Sequence, residues 1–139
     1  MAEKMYCAVK ALLRRGGKFL FVEYASELLE GVFDLPGGRI EKGEEPLDAL
    51  VREVREETGF KVSVGKPVGI YWLAREGDGD QVTAFVFECS GEPAGTPVNT
   101  SQDPIKAFHW LTLEEACGKN FGAKTTLNKL LKGYSESLR

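Results

Sequence analysis

Three glutamates, Glu53, Glu56 and Glu57, stand close together behind a glycine pair, Gly37-Gly38, and directly after Arg52. On a helix, at about 100° per residue, their carboxylates fall within an arc of about 100° and face one place. Such a group repels itself at neutral pH, because like charges at i and i+4 destabilise a helix. Something has to compensate it. Hard divalent cations such as Mg²⁺ take carboxylate oxygens, water and substrate phosphates as ligands, so the trio has the chemistry of a metal-phosphate site. The glycine pair allows close backbone approach and offers a carbonyl oxygen to the same ion. A metal held there polarises phosphoryl oxygens, lowers the pKa of a bound water and steadies a leaving phosphate. The same pattern also describes a solvated acidic face laced to Lys42, Arg52 and Arg55, and spacing alone leaves both readings open.

The element that positions these groups is punctuated clearly. Pro46 suits the first turn of a helix and Gly59 the residue just past its end, which predicts a helix over about Pro46 to Thr58. Leu47, Leu50, Val51 and Val54 recur at i, i+3, i+4 and i+7 and form its apolar stripe. Upstream, Met5 to Arg14 and Lys18 to Tyr24 read as a hairpin about Gly16-Gly17, Ala25 to Gly31 as a loop, and Val32 to Leu35 as a short strand ended by Pro36 before a glycine turn. Downstream, Phe60 to Val64, Val68 to Arg75 and Gln81 to Cys89 read as strands, the last two joined by a turn at Gly77-Asp78-Gly79-Asp80. Ser90 to Pro104 is a long polar loop of the sort that borders a site. Lys106 to Leu111 returns to strand, Thr112 to Glu115 carries a capping box, and Leu127, Leu130, Leu131 and Tyr134 give a last helix its buried face.

With 139 residues, of which 42% are hydrophobic, the chain can bury one core, so residues 1–139 are expected to form a single domain. A net charge of -3 from 18 basic and 21 acidic residues offers no basic field, which argues against duplex nucleic acid as a partner. No apolar run approaches the roughly 18 residues of a membrane span. Nothing reads as a signal peptide, and three scattered cysteines, Cys7, Cys89 and Cys117, suit a reducing compartment. The expected location is the cytoplasm, as a monomer or homodimer.

Gly38, Glu44, Arg52, Glu53, Val54, Glu56, Glu57 and Gly59 fall at every spacing of the Nudix box, and the stretch from Gly38 to Phe60 resembles that motif throughout. One departure is Phe60, where an aliphatic residue is usual. The resemblance implies an α/β class fold, an α/β/α sandwich with a mixed β-sheet between helices. It implies that Glu53, Glu56 and Glu57 bind metal, with a backbone carbonyl at Gly37 or Gly38 as a further ligand. Glu53 also matches a candidate base, Arg52 an arginine that orients a catalytic carboxylate, and Glu44 a supporting glutamate. The implied cofactor is Mg²⁺ or Mn²⁺, and the implied reaction is hydrolysis of a nucleoside diphosphate linked to another moiety. A nucleoside triphosphate, in the manner of MutT-like housecleaning enzymes, is the leading substrate. Dinucleoside polyphosphates and nucleotide sugars are alternatives, as is a sensor that binds nucleotide without turnover.

A further carboxylate from a later loop often completes such a site. Asp103 is the first choice here, with Glu88 and Glu92 behind it, although Asp103-Pro104 also reads as a plain turn initiator. The single histidine, His109, excludes a multi-histidine zinc site and reads as a packing or hydrogen-bonding residue. Asp78 and Asp80 lack the rest of a calcium loop. Trp72, Trp110, Tyr6, Tyr24 and Tyr71 are able to stack on a nucleobase, but strand aromatics are usually core. Tyr24 and Tyr71 are retained as substrate-binding candidates.

Overall fold

The computed structural model describes residues 4–25, 31–74, 79–91 and 95–139. In chain order the elements are β1 (Met5–Arg15), β2 (Lys18–Tyr24), β3 (Phe33–Asp34), β4 (Gly37–Arg39), α1 (Pro46–Thr58), β5 (Val62–Ala74), β6 (Gln81–Gly91), β7 (Ile105–Leu111), α2 (Leu113–Cys117), β8 (Lys124–Thr125) and α3 (Leu127–Ser137).

β1 is apolar without alternation because both of its faces are covered. Ala8 and Leu12 join a core that includes Leu113 and Ala116 of α2 and Leu127 and Leu131 of α3. Val9, Ala11 and Leu13 join a second core with Ala49, Leu50 and Val54 of α1. The sheet therefore lies between α1 on one side and α2 and α3 on the other, an α/β arrangement. β1 runs parallel to β6, from Met5 opposite Gln81 to Leu13 opposite Cys89. It runs antiparallel to β4, with Lys10 opposite Gly37 and Val9 opposite Gly38. β5 pairs antiparallel with β6 and, at Leu73 and Ala74, with β8. Beyond the turn at Gly16, β2 pairs with β3 and β7. The β1–β2 hairpin itself pairs only at Arg14–Phe19 and Arg15–Lys18, so the two strands lead into different parts of a curled, mixed sheet.

α1 has the predicted bounds. Glu45 caps its start, accepting hydrogen bonds from the Leu47 and Asp48 amides, and Gly59 ends it in the left-handed region at φ 77°. The apolar stripe is rotated from the expectation: Leu50 and Val54 are fully buried and Ala49 joins them, but Val51 is half-buried and Leu47 is 38% exposed. Burial of Leu50 and Val54 contributes about 1.5–3 kcal/mol each, which anchors the helix.

Several other expectations are corrected. Gly37-Gly38 is not a turn but the start of β4. The predicted pair Phe60–Val64 and Val68–Arg75 is one strand, Val62–Ala74, irregular around Pro67 and Gly69. β8 and its place at the sheet edge were not foreseen. Gly77, Asp78, Arg75 and most of Ala25 to Gly31 lie outside the described residues. Among the described residues no helix is long and apolar enough to cross a membrane.

Candidate active site

α1 and β4 meet at the carboxylates. Glu57, in the last turn of α1, is buried at 1% exposure, and its Oε1 accepts the Gly37 amide at 2.7 Å. Glu53, one turn earlier, packs its carboxylate over Gly38 so closely that a Cβ there would overlap it. This is the close approach that requires glycine in β4.

The third carboxylate comes from the loop before β7. The Val98 amide donates to the Thr58 carbonyl at 2.9 Å, and both the amide and the hydroxyl of Thr100 donate to the Glu56 carbonyl, at 2.7 and 2.8 Å. The loop thus occupies the carbonyls that a helix end leaves unpaired. Within it, Asn99 Nδ2 donates to the Asp103 carbonyl at 2.9 Å, and the Ser101 amide donates to Asn99 Oδ1 at 2.9 Å. The outcome is convergence: carboxylate oxygens of Glu53, Glu57 and Asp103 all lie within 4.8 Å of one another.

Arg52 organises the outer side. Its Nε and Nη2 donate to both oxygens of Glu44, at 2.7 and 2.9 Å, a bidentate pair of the strong kind. Its Nη1 donates to Glu53 at 3.0 Å and to Glu56 at 3.3 Å. Glu56 therefore does not join the convergent trio. Its carboxylate, 44% exposed, is turned to Arg52.

Charge in this region follows burial. Desolvation pushes the Glu57 carboxyl up to about 9, against the nearby Lys10 ammonium and with a hydrogen bond shared with Asp103 adding to the rise. Burial also raises Glu53, with Arg52 pulling the other way. Hydrogen bonds from Arg52 hold Glu44 down to about 2. Metal ligands must be deprotonated, so a cation held in this carboxylate cluster would displace the proton that burial favours on Glu57. The donor set is all oxygen, which fits a hard divalent ion. Of the expected carboxylates, Glu53, Glu57 and Asp103 come together in a cluster that could hold a metal ion, and Glu56 stands apart at Arg52.

Behind β4 lies a buried network that motif reading missed. Lys10 Nζ donates to Asp34 Oδ2 at 3.1 Å and to the Leu35 carbonyl at 3.3 Å. The Tyr71 hydroxyl donates to Asp34 Oδ1 at 2.6 Å. The signal available in advance was a lysine inside the apolar run Ala8 to Leu13, where a charge needs a partner.

Tyr71 is 1% exposed, so its ring has no open face for a nucleobase, which corrects that assignment. Tyr24 is half-buried at the end of β2 and lies within electrostatic reach of Lys10, Asp34, Glu57 and Asp103, which places it beside the site. Glu88 accepts the Tyr134 hydroxyl at 2.6 Å and is not in the carboxylate trio, and Glu92 lies outside the described residues. His109 Nε2 is 2.8 Å from Glu23 and stacks at 4.8 Å on Phe33, a hydrogen-bonding and packing residue as expected.

A family model described as NUDIX domain matches residues 6–133. A MutT-like protein of Streptomyces ambofaciens is 36% identical over 104 residues, 75% of this chain and 61% of that protein. An ADP-ribose pyrophosphatase of Methanocaldococcus jannaschii is 34% identical over 80 residues, 58% of this chain and 47% of that one. The matches thus span less than two thirds of either relative. Among solved structures, the MutT protein of Methanosarcina mazei Go1 aligns with a TM-score of 0.81 at 24% identity, covering 100% of this chain and 99% of the other, a likeness of fold. The matched span takes in β4, α1 and the loop carrying Asp103, and on that match the chain belongs to the NUDIX domain family.

Proposed function

We propose that this chain hydrolyses a phosphoric anhydride bond in a nucleoside diphosphate-linked compound, with a divalent cation as cofactor and a nucleoside triphosphate as substrate. The observation that carries the reading is the convergence of Glu53, Glu57 and Asp103 at the junction of α1, β4 and the loop. These three side chains would hold the ion, with a carbonyl of Gly37 or Gly38 as a further donor. When bound, Mg²⁺ or Mn²⁺ supplies polarisation of the phosphoryl oxygens and a lowered pKa for an attacking water.

The protein's own groups have separate tasks. Glu53 Oε accepts a proton from the water, and Arg52 keeps that carboxylate aimed by holding it on one side and Glu44 on the other. The Gly37 amide fixes the rotamer of Glu57. Asn99 and Thr100 hold the loop, and so Asp103, against the end of α1. Tyr24, beside the trio, borders the substrate. Glu56 serves as a partner of Arg52.

The triphosphate choice is supported by likeness to a MutT-like protein over 75% of the chain. A second reading, a nucleotide-sugar hydrolase, is favoured by likeness to an ADP-ribose pyrophosphatase. Incubation of purified protein with Mg²⁺ and a panel of nucleoside triphosphates, nucleotide sugars and dinucleoside polyphosphates, with product identification, separates the two. Release of pyrophosphate and a nucleoside monophosphate supports the first reading. Nucleotide bound tightly by calorimetry yet recovered intact would make the protein a sensor and overturn the enzyme reading.

A further inference from the structure

The buried polar side chains among the described residues are Lys10, Asp34, Glu57 and Thr58, and the one cation in that group has no task in the reaction outlined above. Its placement is informative. β3 ends at Asp34 and β4 begins at Gly37, so Leu35 and Pro36 form a linker without strand pairing of its own. Adjacent residues of β1 hold that linker: the Ala11 amide donates to the Pro36 carbonyl at 2.9 Å, and Lys10 Nζ donates to the Leu35 carbonyl at 3.3 Å. Asp34, the partner of Lys10, accepts the Leu35 amide at 2.7 Å. Both polar backbone groups of Leu35 are therefore set by the Lys10–Asp34 pair.

The next residue but one, Gly37, lies opposite Lys10 in the β1–β4 ladder and donates its amide to Glu57. Lys10 shares its strand face with Ala8 and Leu12, which pack toward α2 and α3, whereas Glu57 comes from α1. The segment is gripped from both sides.

We propose that Lys10 is a positioning residue for the metal site: by fixing the Leu35 to Gly37 backbone it sets the amide that orients Glu57 and the carbonyls offered to the ion. A methionine of similar length fills the same space but holds neither the Leu35 carbonyl nor Asp34. The inference rests on the metal-site reading given above and deepens it.

The test measures Mn²⁺ affinity by spin resonance on nucleotide-free protein, together with thermal midpoints. Lys10→Met leaves Asp34 buried without its cation and is expected to lower the midpoint. The neutral pair Lys10→Met/Asp34→Asn removes both charges and is expected to restore much of the midpoint while Mn²⁺ affinity stays about tenfold or more below wild type, the range typical of groups that orient ligands. A folded double variant with wild-type Mn²⁺ affinity would reduce Lys10 to a counter-ion for Asp34 and overturn the inference alone. Wild-type protein that binds no Mn²⁺ would overturn the site reading and this inference with it. A measurement on wild-type protein needs no variant to fold: on Mg²⁺ titration the Gly37 amide and Lys10 Cε resonances should shift on one binding curve. A shift at Gly37 with Lys10 Cε unmoved would also overturn the inference.

Discussion

Exchange of Gly38 and Gly37 for alanine, one at a time, should separate chemistry from folding in neighbouring residues. A Cβ on Gly38 would lie 2.5 Å from Cδ and 2.9 Å from Oε1 of Glu53. Non-bonded carbons rest at about 3.5–4.0 Å, so the carboxylate must retreat by about 1 Å. That atom is the end of a flexible side chain, and the helix need not move. Misplacement by about 1 Å costs on the order of 10²-fold in rate, or about 2.7 kcal/mol in the barrier. Stability should change by less than about 1 kcal/mol, since Gly→Ala also restricts the unfolded chain. Gly37 differs: its φ is 142°, and its Cβ would meet backbone, at 2.9 Å from Lys10 Cα and against the Val9 carbonyl. Strained backbone costs about 1–3 kcal/mol and overpacking about 1–3 more, together a large part of a typical stability of about 5–15 kcal/mol. Thermal melts and steady-state hydrolysis on the preferred nucleotide read both. Gly38→Ala should melt near wild type with turnover down about 100-fold, and Gly37→Ala should melt well below it. A Gly38→Ala protein with wild-type turnover would refute the placement of Glu53.

Other outcomes follow from the same geometry. In metal-free protein Glu57 has a folded-state pKa of about 9 against an ordinary 4.5, so the folded state holds the extra proton and its contribution is full below about 4.5 and lost as pH rises toward 9. Melting points in chelator should therefore fall across that window, Mg²⁺ should raise them most at the alkaline end, and Glu57→Gln should flatten the chelator profile. Arg52→Ala frees Glu44, Glu53 and Glu56 together. Its kcat should fall by at least about tenfold, with nucleotide KM moving less, as steady-state kinetics would show. Tyr71→Phe removes the 2.6 Å hydrogen bond to Asp34 in the buried network and should cost about 1–3 kcal/mol in denaturant titration.

How much of this could be read in advance depended on range. The bounds of α1 were legible because Pro46 and Gly59 act locally, through a missing amide and a left-handed φ of 77°. The capping box at Thr112 and Glu115 was legible for the same reason. Gly37-Gly38 read as a turn because glycine is a local turn signal, whereas its use here comes from two distant neighbours, β1 on one side and Glu53 on the other. The predicted break in β5, between Val64 and Val68, falls where the β5–β6 ladder shifts register, between Val64 and Pro67 and between Pro67 and Gly69. Within the site, periodicity placed Glu53, Glu56 and Glu57 on one arc, but the rotation of α1 buries Glu57 and turns Glu56 to Arg52. Asp103 was reachable only as a loop carboxylate of the right type; its approach depends on hydrogen bonds from Val98 and Thr100 to the end of α1, which no local pattern announces. Lys10 and Asp34, far apart in sequence, meet only through the fold.

The central claim is that Glu53, Glu57 and Asp103 hold a divalent cation. Anomalous diffraction at the manganese edge, from crystals soaked in Mn²⁺, tests it most directly. A peak is expected within coordinating distance of those three carboxylates, and its loss in crystals of a Glu53→Gln/Glu57→Gln variant. A manganese peak elsewhere on the molecule, with none at this junction, would contradict it.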